Sequence, residues 1–115
     1  MINLAADENL SRQTGLSPEK LRTIRHTIGA DSRVRQLVLF GSRAKGNWRE
    51  GSDIDLAVTG AGLEHADASR WADLLEEELF PWSVDVVLLN NSTDPALREH
   101  IERVGVPITG GPREA

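Results

Sequence analysis

Two acids inside an apolar run constrain this chain more than any other feature. In Asp53-Ile54-Asp55-Leu56-Ala57-Val58 carboxylates alternate with aliphatic residues. Residues two apart on a β-strand share a face, so Asp53 and Asp55 project together while Ile54 and Leu56 project the other way, into a core. The pattern calls for a sheet with one packed face and one accessible face. Taken alone, the same pair also fits an ordinary solvent-facing position.

The rest of the chain supplies such a sheet. Ser17 reads as an N-cap followed by Pro18, with Leu16 and Leu21 spaced as a hydrophobic staple, and Leu21, Ile24 and Ile28 fall on one helical face before a C-cap at Gly29. Gln36 to Phe40 is a short apolar strand ending at Gly41, and Asp53 to Val58 is a second strand closed by Thr59-Gly60. From Glu64 to Phe80 the residues Ala68, Trp71, Ala72, Leu75 and Leu79 recur at helical spacing, and Pro81 ends the run. Trp82 to Leu89 reads as a third strand, closed by Asn90-Asn91. Asp94 then caps a helix that opens with Pro95, buries Leu97, Ile101 and Val104, and stops at Gly105. Val106 to Ile108 adds a short edge strand. This order predicts an α+β fold, a small mixed β-sheet with helices packed mainly on one face and the other face open for chemistry. Residues 1–14 and 109–115 read as tails around a single domain at 15–108.

Composition narrows the class. A chain of 115 residues has room for one core, and 39% hydrophobic with 27% charged residues is an ordinary globular balance. With no cysteine there are no disulfides, thiolate zinc sites or cysteine nucleophiles, which fits a reducing compartment, so a cytoplasmic location is expected. The longest apolar run, Val86 to Leu89, is far too short to span a membrane, and the N-terminus lacks a basic region followed by an apolar one, so neither secretion nor anchoring is expected. A net charge of -5 argues against direct binding to a nucleic-acid backbone. The excess is local, since Glu64, Asp67, Asp73, Glu76, Glu77 and Glu78 are offset only by Arg70.

Phe40-Gly41-Ser42-Arg43-Ala44-Lys45-Gly46 carries a strand end into a Gly-Ser turn and then into helical backbone. Free N–H groups, a hydroxyl and nearby cations there suit phosphate oxygens, although a Gly-Ser turn with solvated charges fits the same residues. Asp85 interrupts the apolar run Val84, Val86, Val87, Leu88, Leu89, where a buried unpaired acid is costly. If the third strand lies beside the second, Asp85 joins Asp53 and Asp55 on the open face; a solvated position on that face is the simpler alternative. Three carboxylates are hard oxygen ligands suited to one or two Mg²⁺ ions, which hold phosphates, activate a hydroxyl and neutralise a leaving pyrophosphate.

Gly41-Ser42, ten intervening residues, Asp53-Ile54-Asp55 and a later strand acid at Asp85 resemble the signature of the DNA polymerase β-like nucleotidyltransferase superfamily, directly over about residues 34–89. The short length and the form Gly-Ser-Arg-Ala-Lys-Gly resemble in particular the minimal nucleotidyltransferases (MNT), the antitoxin half of HEPN/MNT toxin–antitoxin pairs. The resemblance implies that Gly41 and Ser42 cradle the triphosphate of ATP, with Arg43 and Lys45 as further nucleotide contacts. It implies that Asp53, Asp55 and Asp85 are the catalytic, metal-binding residues, with Asp53 and Asp55 holding two Mg²⁺ ions and Asp85 helping to deprotonate the acceptor hydroxyl. It also implies a partner, a cognate HEPN ribonuclease toxin adenylylated on a tyrosine within a hetero-oligomer.

Two other functions fit parts of the sequence. A non-catalytic antitoxin could mask a basic surface with the acidic 64–78 segment, and a small-molecule, antibiotic-modifying nucleotidyltransferase would share the site but needs length this chain does not have to spare. His26, His65 and His100 fit no metal spacing and read as surface or cap residues. Trp71 belongs to the apolar stripe, while Trp48, in the loop between Ser42 and Asp53, suits either local packing or the mouth of the site.

Overall fold

The computed structural model describes residues 4–109. Helix α1 spans Leu4–Thr14, α2 Pro18–Gly29, strand β1 Val34–Phe40, α3 Gly41–Lys45, β2 Ile54–Gly60, α4 His65–Glu78, β3 Val84–Leu88, α5 Pro95–Val104 and β4 Val106–Thr109. The strands form one sheet in the order β3-β2-β1-β4, antiparallel except for the β2–β3 pair. The parallel pair follows from the connection, because α4 carries the chain back so that β3 runs in the direction of β2.

Local sequence accounts for most boundaries. The Ser17 hydroxyl accepts a hydrogen bond from the Lys20 N–H at 3.2 Å, and Pro18 occupies the first turn, where its missing N–H costs nothing. Helix α2 continues through Gly29, with Ala30 rather than Gly29 in the capping position. The Asp94 carboxylate accepts from the Ala96 and Leu97 N–H groups, both at 3.1 Å, and so starts α5. At the start of α4, Glu64 and Asp67 cap each other's main chain reciprocally. Strand β1 begins two residues before the expected Gln36, whereas β3 is shorter than Trp82 to Leu89.

Both faces of the sheet are packed, to different extents. Leu37, Leu39, Ile54, Leu56, Val58, Val84 and Val86 meet Leu21, Ile24 and Ile28 of α2 and Ala68, Trp71 and Leu75 of α4 in the larger core. Burying each large aliphatic side chain there contributes about 1.5–3 kcal/mol. On the opposite face Val38, Phe40 and Ala57 form a smaller cluster with Ile101, flanked by Val87, Leu89, Leu97 and Val104. Helix α5 therefore covers part of the face expected to be open. The carboxylate-bearing end of that face stays accessible, with Asp53 and Asp85 exposed.

The stretch 1–14, expected as a tail, contains α1, whose Leu10 packs against the larger core. At the other end Thr109, assigned to a tail, is the last residue of β4 and pairs with Leu37. Residues 110–115 of that expected tail lie outside the described residues.

Candidate active site

Asp55 sits in the middle strands of the sheet, with Phe40 of β1 as its partner on one side and Asp85 of β3 on the other. The strand period turns Asp53, Asp55 and Ala57 to the α5 side, and the register puts Asp85 directly beside Asp55. Asp55 is half-buried, while Asp53 and Asp85 are exposed. Burial pushes the Asp55 carboxyl above the ordinary carboxylate value; the negative charges of Asp85 and then Asp53 add to the rise, and His100 opposes it. Among the described residues no three His, Asp or Glu side chains close into a ready-made cation cluster, so the aspartates share one face and one field rather than a preformed cage. Their chemistry suits a hard divalent cation. Oxygen ligands whose mutual repulsion already raises the affinity of one member for a proton gain from a cation for the same reason.

Gly41 joins the two expected motifs. Its φ of +77° lies in the left-handed region, and a Cβ at this position would stand 2.3 Å from Asp55 Oδ2. A side chain at position 41 and the Asp55 carboxylate cannot coexist as placed. The absence of a Cβ is what lets the main chain of the Gly-Ser turn lie against the carboxylate.

Helix α3 follows at once. Residues three apart on a helix share a side, so Ser42 and Lys45 face one way and Arg43 and Ala44 the other. The latter two are buried and Lys45 is exposed. The Ser42 carbonyl accepts hydrogen bonds from the N–H groups of Gly46 and Asn47, which closes the short helix.

Arg43 departs from the expected phosphate contact. It is 2% exposed, and its guanidinium points inward: Nη1 donates to the Thr14 carbonyl at 2.8 Å and Nε to the Ser52 carbonyl at 3.1 Å. The side chain that reads as a surface cation lies on the packed side of α3 and is taken up by main-chain carbonyls. Trp48 has the local packing role, with Nε1 donating to the Gln13 carbonyl at 2.8 Å and its ring against Gly15.

One site neighbour escaped the sequence reading. His100 of α5 lies edge-on to Phe40, with ring centroids 6.1 Å apart, near enough to Asp55 to oppose the rise in its pKa. The available signal was its position three residues after Leu97 on the apolar side of α5. It becomes informative only once α5 is known to pack on the same face of the sheet as the aspartates.

The family described as polymerase beta, nucleotidyltransferase matches residues 22–113. A Methanocaldococcus jannaschii protein that carries the provisional name protein adenylyltransferase is 29% identical over 86 residues, covering 73% of this chain and 86% of the relative. A chain in a toxin–antitoxin crystal structure with AMP-PNP superposes with a TM-score of 0.67 at 26% identity, over 81% of this chain and 73% of the other. The fold is also similar to a chain in the structure of a tri-AMPylated Shewanella oneidensis HEPN toxin in complex with MNT antitoxin, with a TM-score of 0.66, 24% identity, and 81% and 71% covered. No helix among the described residues is long and apolar enough to cross a membrane.

Proposed function

The chain belongs to the polymerase β nucleotidyltransferase family, and on that premise we propose that it transfers AMP from ATP to a hydroxyl, a tyrosine of a cognate HEPN ribonuclease toxin, and so acts as the toxin's antitoxin. The observation that carries this reading is the packing of Gly41 against the Asp55 carboxylate, with Asp85 beside it in register. That contact supports reading the Gly41–Ser42 turn and the aspartates as parts of one site. The AMP-PNP complex and the AMPylated toxin among the similar structures support the choice of nucleotide, of transferred group and of partner.

In the reaction the acceptor oxygen bonds to the α-phosphorus of ATP, the bond from that phosphorus to the bridging oxygen breaks, and pyrophosphate leaves with the electron pair. Gly41 and Ser42 hold the triphosphate, with Lys45 as an exposed cation on the same side of α3. Asp53 and Asp55 would hold two Mg²⁺ ions. When bound, these ions neutralise the phosphate charge and lower the pKa of the acceptor hydroxyl. Asp85 would complete the metal site and help to take up the hydroxyl proton.

A second reading rests on α4, where Asp73, Glu77 and Glu78 are exposed and would complement a basic surface on the partner. The decisive experiment is the intact mass of both proteins after incubation with Mg²⁺, ATP and the toxin. We expect a gain of an integer number of AMP groups on the toxin, and at least an approximately 100-fold slower gain with Asp53→Asn or Asp55→Asn. A stable complex without any gain overturns transfer in favour of binding alone. Equal gain with the variants removes the aspartates from the chemistry.

A further inference from the structure

The buried cation Arg43 takes no part in the chemistry above, yet it connects three parts of the chain. Its Nη1 reaches the carbonyl of Thr14, the last residue of α1, and its Nε reaches the carbonyl of Ser52, the residue before Asp53. Its guanidinium lies 5.4 Å from the centre of the Trp48 ring. Trp48 in turn donates to the Gln13 carbonyl and packs on Gly15, where a Cβ would come within 2.6 Å of the ring. Gln13 Nε2 completes the set by donating to the Ala44 carbonyl at 2.7 Å. The last carbonyls of a helix have no partner within it and carry the negative end of its dipole, so a cation is favoured there. A guanidinium is also suited to bridge two separate carbonyls, because its donors are fixed in a plane that can stack on an aromatic ring.

We infer that Arg43 is a positioning residue, which ties the main chain entering Asp53 to the end of α1 and so fixes where Asp53 lies relative to Asp55. Helix α1 precedes the residues 22–113 matched by the family, and the inference makes its C-terminal end part of the scaffold of the active site. It rests on the transferase reading. The consequence is specific: loosening Ser52 displaces a metal-binding carboxylate without removing any phosphate contact. Displacements of about 1 Å can cost about 100-fold in rate.

The test uses the full chain with Arg43→Lys, Gln13→Ala and Trp48→Phe, the last keeping a ring over the guanidinium while removing the donor to Gln13. Exposed Arg12→Ala on α1 is the control. Calorimetric titration of Mn²⁺ and AMP-PNP reads binding, and the Mg²⁺ dependence of AMP transfer reads activity. For Arg43→Lys we expect about tenfold weaker divalent-ion binding, a correspondingly higher half-saturating Mg²⁺ concentration, and recovery of most of the rate in excess Mg²⁺ with the KM for ATP unchanged. Gln13→Ala and Trp48→Phe should shift in the same direction by less, and Arg12→Ala not at all. Should Arg43→Lys fail to fold, the two milder variants carry the test. A raised KM for ATP with an unchanged Mg²⁺ requirement overturns the inference and returns Arg43 to phosphate binding; wild-type behaviour in all the variants also overturns it. Wild-type protein that binds no AMP-PNP overturns the transferase reading and the inference with it, whereas binding by wild type and variants alike removes the inference alone.

Discussion

Gly41 is where a turn that reads as phosphate-binding and a strand that reads as metal-binding touch. Alanine there meets two separate penalties. A φ of +77° costs an L-residue about 1–2 kcal/mol, and its Cβ would collide with Asp55 Oδ2. Gly62→Ala isolates the first penalty, since Gly62 has a φ of +80° but its added Cβ would meet only Arg33 Cδ at 3.8 Å, away from the site. Both variants should melt lower, by roughly 5–10 °C. Gly41→Ala alone should lose AMP transfer, by about 100-fold or more, as measured by initial rates at saturating ATP and Mg²⁺. Equal rates in the two variants would separate Asp55 from the turn. At this scale the period of two made the shared face of Asp53 and Asp55 legible in sequence, whereas Asp85 joins them only because β3 lies beside β2 in register. The direction of Arg43 was not, because residue type names a cation without saying which side of a five-residue helix it occupies.

Elements with strong local signals were readable, and those held by distant contacts were not. Helices α2 and α5 announce themselves through Ser17-Pro18 and Asp94-Pro95. Helix α1 has no comparable start, and the anchors described above come from residues 29 to 35 positions away. Element order likewise could not say that α5 lies on the acidic face, since a helix after an edge strand can return over either side of a sheet. Helix α4 shows how much one residue can hold. Asp67 accepts hydrogen bonds from Arg33 Nη1 and Nη2 at 3.2 and 3.0 Å, from the Glu64 N–H at 2.9 Å and from Arg70 at 3.2 Å. Arg33 and then the Glu64 N–H hold its carboxyl below the ordinary value, and Arg33 likewise holds Asp31 at about 2. A lowered folded pKa contributes stability that is present above the unfolded value and lost as pH falls through the folded one. Asp67→Asn should therefore melt several degrees below wild type at neutral pH, with the gap closing as pH falls below about 4, as followed by thermal melts at neutral and acid pH. A gap independent of pH would mean that the carboxylate charge contributes nothing and only the shape of the cap matters.

Across the whole molecule the two sets of acids act in opposite directions. The Asp31–Arg33–Asp67 network favours the fold at neutral pH, whereas Asp55, with its pKa raised by burial and by Asp85 and Asp53, opposes it there. For a carboxyl with a raised folded pKa, the favourable contribution is fully present below the unfolded value and is lost as pH rises through the folded one. A chain of net charge -5 that keeps three carboxylates on one open face thus gives up some stability there for a function. Without divalent ions at pH 7, Asp55→Asn should melt a few degrees above wild type, and the difference should shrink towards about pH 4 as Asp55 becomes protonated. Adding Mg²⁺ with AMP-PNP should reverse the order, because a ligand that binds only the folded state stabilises it in proportion to its affinity, and the variant lacks a carboxylate proposed to hold the metal. Melts in EDTA and in Mg²⁺ with AMP-PNP, at several pH values, read all three effects. If the variant melts with wild type in EDTA and gains as much from Mg²⁺ and nucleotide, Asp55 is an ordinary surface acid. A reversal would tie the stability given up at Asp55 to the binding of the metal and nucleotide that the transfer reaction requires.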